Sequence, residues 1–168
     1  MSTPVVERIA VYLLSVIDGI TVVNGYNYDL VGIRPTVLEM NTDLIKDKNV
    51  IMTQPSAGKP EIVRGSGVAG DEWMHQWDQP FEFHALVFHL ASDAVGIETK
   101  LNQIRSDVEK AFGVANLVTD DDGLRAGGYA ESILVTSSTR DEYTGFTGLK
   151  TIVTVGYSVK ANDPYTVR

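Results

Sequence analysis

The chain has 168 residues, a formal net charge of −8, 43% hydrophobic residues and no cysteine. That length suits one domain with a sizeable core, and the lack of cysteine excludes disulfides, thiolate nucleophiles and cysteine-held metals. No apolar run approaches the roughly 18 residues of a membrane span, so a soluble protein made in the cytoplasm is expected. The 14 basic residues are scattered, which argues against phosphate binding through clustered Lys and Arg and suits a surface that DNA passes without sticking.

In chain order, Thr3-Pro4 predicts a helix start, with Thr3 as N-cap and Pro4 at the first helical position. Glu7 falls in the first turn, where the helix dipole favours an acid. Val6, Ile9, Leu13, Ile17 and Ile20 recur at helical spacing, and Gly19 offers a stop. Asn24-Gly25 is a strong turn signal, expected to join two short strands around Val22 and Leu30. Extended runs are predicted at 30–37 and 50–53, with a polar stretch between them that suits a turn of helix. Residues 54–80 are rich in Gly and Pro and predict a long protruding loop, with a hairpin at 61–64.

Residues 81–91 predict a central strand, alternating at first and then apolar on both faces. Ser92-Asp93 should cap a second helix, in which Ile97, Leu101, Ile104, Val108 and Ala111 share a face and Gly113 ends it. Strands follow at 131–139 and 147–161, joined by a hairpin at 141–145, and the tail from 162 to 168 is expected to be loose. The predicted fold is a single α+β domain in which two helices pack on one face of a mostly antiparallel sheet, with the Gly/Pro-rich loop protruding.

Motifs that suggest chemistry fail on context. Gly65-Ser66-Gly67-Val68-Ala69-Gly70 fits the dinucleotide pattern, but too little chain lies before Pro80 for a crossover helix. His84 and His89 point to opposite faces of one strand and cannot share a metal, and His75 falls in the loop. Asp120-Asp121-Asp122-Gly123 lacks the oxygen ligand that a calcium loop needs at Val118, and reads as an acidic turn. No catalytic residue, cofactor site or metal site is predicted. Trp73 and Trp77, four apart inside the loop, are either an exposed aromatic face suited to anchoring a partner or a pair that caps the core.

Three stretches carry a resemblance: Val23-Asn24-Gly25-Tyr26-Asn27-Tyr28-Asp29, Ile104 to Phe112 with its Ser106-Asp107-Val108, and the closing strand from Val153 to Asp163-Pro164-Tyr165. Together with the order of elements, they resemble the phage tail terminator (tail completion) family. The resemblance implies a virion protein without enzymatic activity, assembled in the host cytoplasm and located at the neck of the tail. It implies a homohexameric ring that caps the head-proximal end of the tail tube. Its partners are then other copies of itself, the tail tube protein and the head–tail connector, with DNA passing through unbound. On that reading Arg64, Asp71, Glu72, Trp73 and Trp77 are candidate interface residues, and Asp120, Asp121 and Asp122 are candidates to face the channel. Two alternatives stay open: another connector or tube component, and a small nucleotide-binding enzyme using Gly65 to Gly70.

Overall fold

The computed structural model describes residues 3–35, 49–55, 61–64, 73–88, 94–143, 146–160 and 163–167. Helix α1 (Val5–Asp18) buries Val5, Ile9, Ala10, Leu13 and Ile17, the stripe its periodicity predicts. Its cap differs from expectation. Pro4 occupies the N-cap with extended backbone, and its carbonyl accepts from Glu7 and Arg8; no side chain caps the helix. Glu7 instead takes a two-pronged bond from Arg34, at 2.5 and 2.9 Å, which lowers the Glu7 carboxyl pKa and raises that of the guanidinium.

The Asn24-Gly25 turn does not join two strands. Val22–Asn24 form a single 3-10 turn, closed by Gly25 at φ +82°, a conformation that glycine adopts without steric cost. The chain then passes through Tyr26 to Asp29 into β1 (Val31–Ile33). Strands β2 (Asn49–Thr53), β3 (Glu61–Arg64) and β4 (Trp73–Phe88) precede α2 (Ala94–Leu117). Strands β5 (Ser132–Tyr143), β6 (Phe146–Lys160) and β7 (Asp163–Val167) complete the chain.

The sheet runs β1-β2-β4-β6-β5, with β3 also on β4 and β7 also on β6. Every pairing is antiparallel except β1 with β2. The long β4–β6 ladder, from Met74↔Lys160 to Phe88↔Phe146, is its spine. Phe81, Phe83, Ala85 and Val87 of β4 and Leu149, Val153, Val155, Tyr157 and Val159 of β6 join the core with α1 and α2. The α+β architecture expected from the sequence is therefore present, and period-2 alternation along β6 sets which face meets the helices.

Several boundaries move, among them the end of β5, which runs to Tyr143 through the start of the expected 141–145 hairpin. β4 begins at Trp73, eight residues before the predicted 81, so 73–80 are sheet rather than loop, and they pair antiparallel with β3 at 61–64, where a hairpin was expected. The remainder of the expected 54–80 loop, beyond Pro55, lies outside the described residues. The tail expected to be loose contains β7, whose Asp163 accepts from the Tyr165 amide and the Thr166 hydroxyl and so folds the turn that starts the strand. Finally, α2 runs through Gly113 to Leu117, because Ala115 beyond it is buried and rewards another turn.

Gly113 thus sits inside a helix, where a Cβ would meet nothing within 4 Å. Gly113→Ala is expected to stabilise the protein by about 0.5–1 kcal/mol, through the restricted unfolded chain and better helix propensity. A denaturant melt with an unmoved or lowered midpoint would contradict this.

Candidate functional site

A cavity of about 470 Å³ opens where the first turn of α1 meets the far ends of β4 and β6. Its apolar walls are Pro4, Val6, Trp77, Tyr157, Val159 and Pro164. Gln54, His75, Gln79 and Lys160 supply its polar groups. Gln79 is almost wholly buried, and its amide nitrogen donates to the Pro55 and Pro80 carbonyls. Both amide hydrogens being used, its carbonyl oxygen is what remains for an occupant. Burial pushes the Tyr157 phenol up to about 12, so it stays protonated and able to donate across the physiological range.

Of the residues predicted for an interface, Trp77 lines this cavity and packs partly against the core. Trp73 and Arg64 are register partners in the β3–β4 pairing. Positions 73 and 77 both lie on β4, so the pair belongs to a sheet and not to a helical loop. Asp71 and Glu72 lie outside the described residues, as do His89 and Gly65 to Gly70. His75, expected in the loop, is on β4.

The acidic turn after α2 is a built loop. Asp120 accepts from the Asp122 and Leu124 amides at 3.1 and 2.8 Å, so its carboxylate holds the turn closed. A side chain at Gly128, φ +92°, would come within 2.9 Å of that same carboxylate. Arg125 ties the loop to the Asn116 and Glu131 carbonyls. Asp121 and Asp122 stand exposed at its tip. The three acids are together and all exposed, and Asp120 alone of them also shapes the loop.

On the sheet face away from the core cluster, Glu82 links Lys150 at 2.8 Å and His84 at 3.4 Å, with the Thr53 hydroxyl 3.4 Å from the imidazole. Burial lowers the His84 pKa, against an opposing pull from Glu82. The imidazole is thus held neutral at neutral pH, a polar island among β-sheet side chains.

Two features were missed from sequence. One is Asp107, buried on α2, which accepts from the Asn27 backbone at 2.8 Å, the Asn27 side-chain amide at 2.8 Å and the Tyr28 backbone at 3.2 Å. Lys110, one turn on, donates to the Gly25 carbonyl at 3.1 Å and lies over the Tyr26 ring. Its signal was available: an aspartate among the apolar positions of an amphipathic helix requires donors from elsewhere. The other is the tip of the 3-10 turn, where Val22 is 55% and Val23 95% exposed. Here the sequence misled, because two valines read as strand.

Among the described residues no group of three or more His, Cys, Asp or Glu is placed to hold a metal, and no helix is long and apolar enough to cross a membrane. No family model matches the sequence, and no curated protein matches it closely enough to count as a relative.

Proposed function

We propose that this chain is a structural virion protein, a phage tail terminator that closes into a ring on the head-proximal end of the tail tube and presents the head-docking surface. One observation supports this reading above the others. Two of the stretches that carry the resemblance, Asn24 to Asp29 and Ile104 to Phe112, are one contact unit in the fold. Asn27 and Tyr28 are bound by Asp107, and Gly25 and Tyr26 by Lys110. Residues that are separately unremarkable in sequence thus constrain each other in space, which is how a short recurring motif acquires physical meaning.

The negative net charge fits a channel that DNA must traverse freely, with Asp121 and Asp122 the exposed acids available to line it. A heterologous contact repeated around an axis gives a closed ring when its rotation closes. Native mass measured across a concentration series tests the reading. The expected species is a ring of six times the 18.4 kDa chain mass, which binds the ends of purified tail tubes and blocks their growth. Open-ended polymers would instead identify a tube subunit. A chain that stays monomeric and ignores tube ends would remove the proposal.

A further inference from the structure

The cavity at the start of α1 and the valine pair beyond its end are complementary surfaces that a single copy cannot bring together. We propose that they are the two halves of one heterologous interface, in which the Val22–Val23 tip of one copy seats in the Trp77–Tyr157 cavity of the next. The inference rests on the ring reading above and names the contact that closes the ring.

The tip is an unusual surface element. An exposed valine pair on a mobile loop would lose entropy on docking, but this turn is held before any partner arrives. The Thr21 hydroxyl accepts from the Asn24 amide at 3.3 Å, and the Asn24 side chain donates to the Gly19 carbonyl at 2.9 Å. The Val22 amide donates to Asp29 at 2.8 Å, and Lys110 fixes Gly25 from α2. A rigid apolar tip of this kind gives up little freedom when it is buried.

The receiving side has the chemistry to match. Aromatic and aliphatic walls surround the cavity, and the Gln79 carbonyl and Tyr157 phenol offer polar anchoring to a turn's backbone. Hot spots of association centre on such aromatic-lined pockets. Charge also agrees. Asp18 and Asp29 flank the tip, each with one carboxylate oxygen on a backbone amide, and outnumber the Lys110 ammonium at Gly25, whereas the charged group lining the cavity is Lys160. Tip against cavity brings opposite signs together; tip against tip brings acids together, which disfavours a two-fold dimer.

The spacing sets the assembly type. The 14 residues of α1 separate the two halves, about 21 Å at 1.5 Å per residue. Each copy therefore uses one surface to bind forward and another to bind backward, the condition for a ring or filament rather than a closed dimer.

Two variants test this by native mass spectrometry and size-exclusion chromatography. Val23→Asp charges the tip at a position 95% exposed, where folding is not at stake. Pro164→Glu charges the cavity wall at an exposed position on β7; Val6→Glu charges it from the first turn of α1, where the helix favours an acid, at the cost of a side chain that also packs partly against the core. With unchanged thermal melts, each variant alone should need on the order of tenfold more protein, or higher, to reach half assembly. Mixed in equal amounts, Val23→Asp and Val6→Glu should form a dimer and stop there, because only one intact tip and one intact cavity remain to meet. If Val23→Asp assembles as the wild type does, this contact is wrong while the ring stands. Loss of the ring in both variants without a mixed dimer also overturns it. A wild type that never assembles and never binds tube ends removes the ring reading and this contact together.

Discussion

Asp107→Ala is expected to lower the stability of the protein by about 3 kcal/mol, a large effect for one side chain on an amphipathic helix. Asp107 is 3% exposed, and its carboxylate accepts three bonds from Asn27 and Tyr28. Hydrogen bonds to a charged acceptor contribute roughly 1.5–3 kcal/mol, and deletion also strands two backbone amides that α2 had covered. The loss corresponds to a fall of roughly 6–12 °C in Tm for a chain of this size. Asp107→Asn should be milder, at about 1 kcal/mol. Its remaining oxygen can serve the two backbone amides, and the Asn27 side chain can turn its own oxygen toward the new amide. Denaturant melts in which the alanine variant equals the asparagine variant would show that the carboxylate is not the clamp described above. A reduced m-value would instead report a changed unfolded or native ensemble.

Phe112→Ala is expected to cost about 3–5 kcal/mol, the range for removing a fully buried aromatic side chain and leaving a cavity. Phe112 has no exposed surface, and its ring lies 5.0 Å from that of Phe83, tilted by 51°. The pair joins the C-terminal part of α2 to β4, so the void would open between the layers, where neither element can collapse without moving the other. Part of the loss belongs to the ring pair itself. A double-mutant cycle with Phe83→Leu and Phe112→Leu should show a coupling of about 0.5–1.5 kcal/mol. Additive losses would mean that each ring packs against the rest of the core independently.

The elements readable from sequence were those in which burial alone dictates the pattern. Along α1, Ile9, Leu13 and Ile17 are buried and few competing signals intervene. Along β6, Leu149, Val153, Val155 and Val159 are buried, and on the other face Lys150, Thr154 and Lys160 stay partly exposed while Ser158 is buried and donates to Glu131. The first half of β4 was hidden for a physical reason. Residues 73–80 carry His, Gln, Asp and Pro, because this end of the strand borders a cavity and not the dry centre of the core. Pro80 also argued against a strand. It lies in the 77–81 interval that pairs with neither β2 nor β3, where a missing N–H is best tolerated.

The candidate site was less legible, since its parts depend on contacts distant in sequence. Trp77 could be singled out by type, but Tyr157 and Gln79 become neighbours only through the β4–β6 register. Val22 and Val23 were misassigned because strand propensity outweighed the capping pattern of Thr21, Asn24 and Asp29 around them. In the acidic turn, where all three acids are exposed, only the hydrogen bonds of Asp120 mark it as the one that builds the loop.

The β4–β6 ladder has a mechanical consequence. Its hydrogen bonds lie across the strands, and it runs unbroken in register from the end beside the α1 cavity to the hairpin at the opposite end. A pull along the strand axis therefore loads these bonds side by side, in shear, instead of opening them one after another. Tension between the two ends is shared along the whole spine, and the molecule resists stretching in that direction while its short strands β1, β3 and β7 remain the parts that peel first.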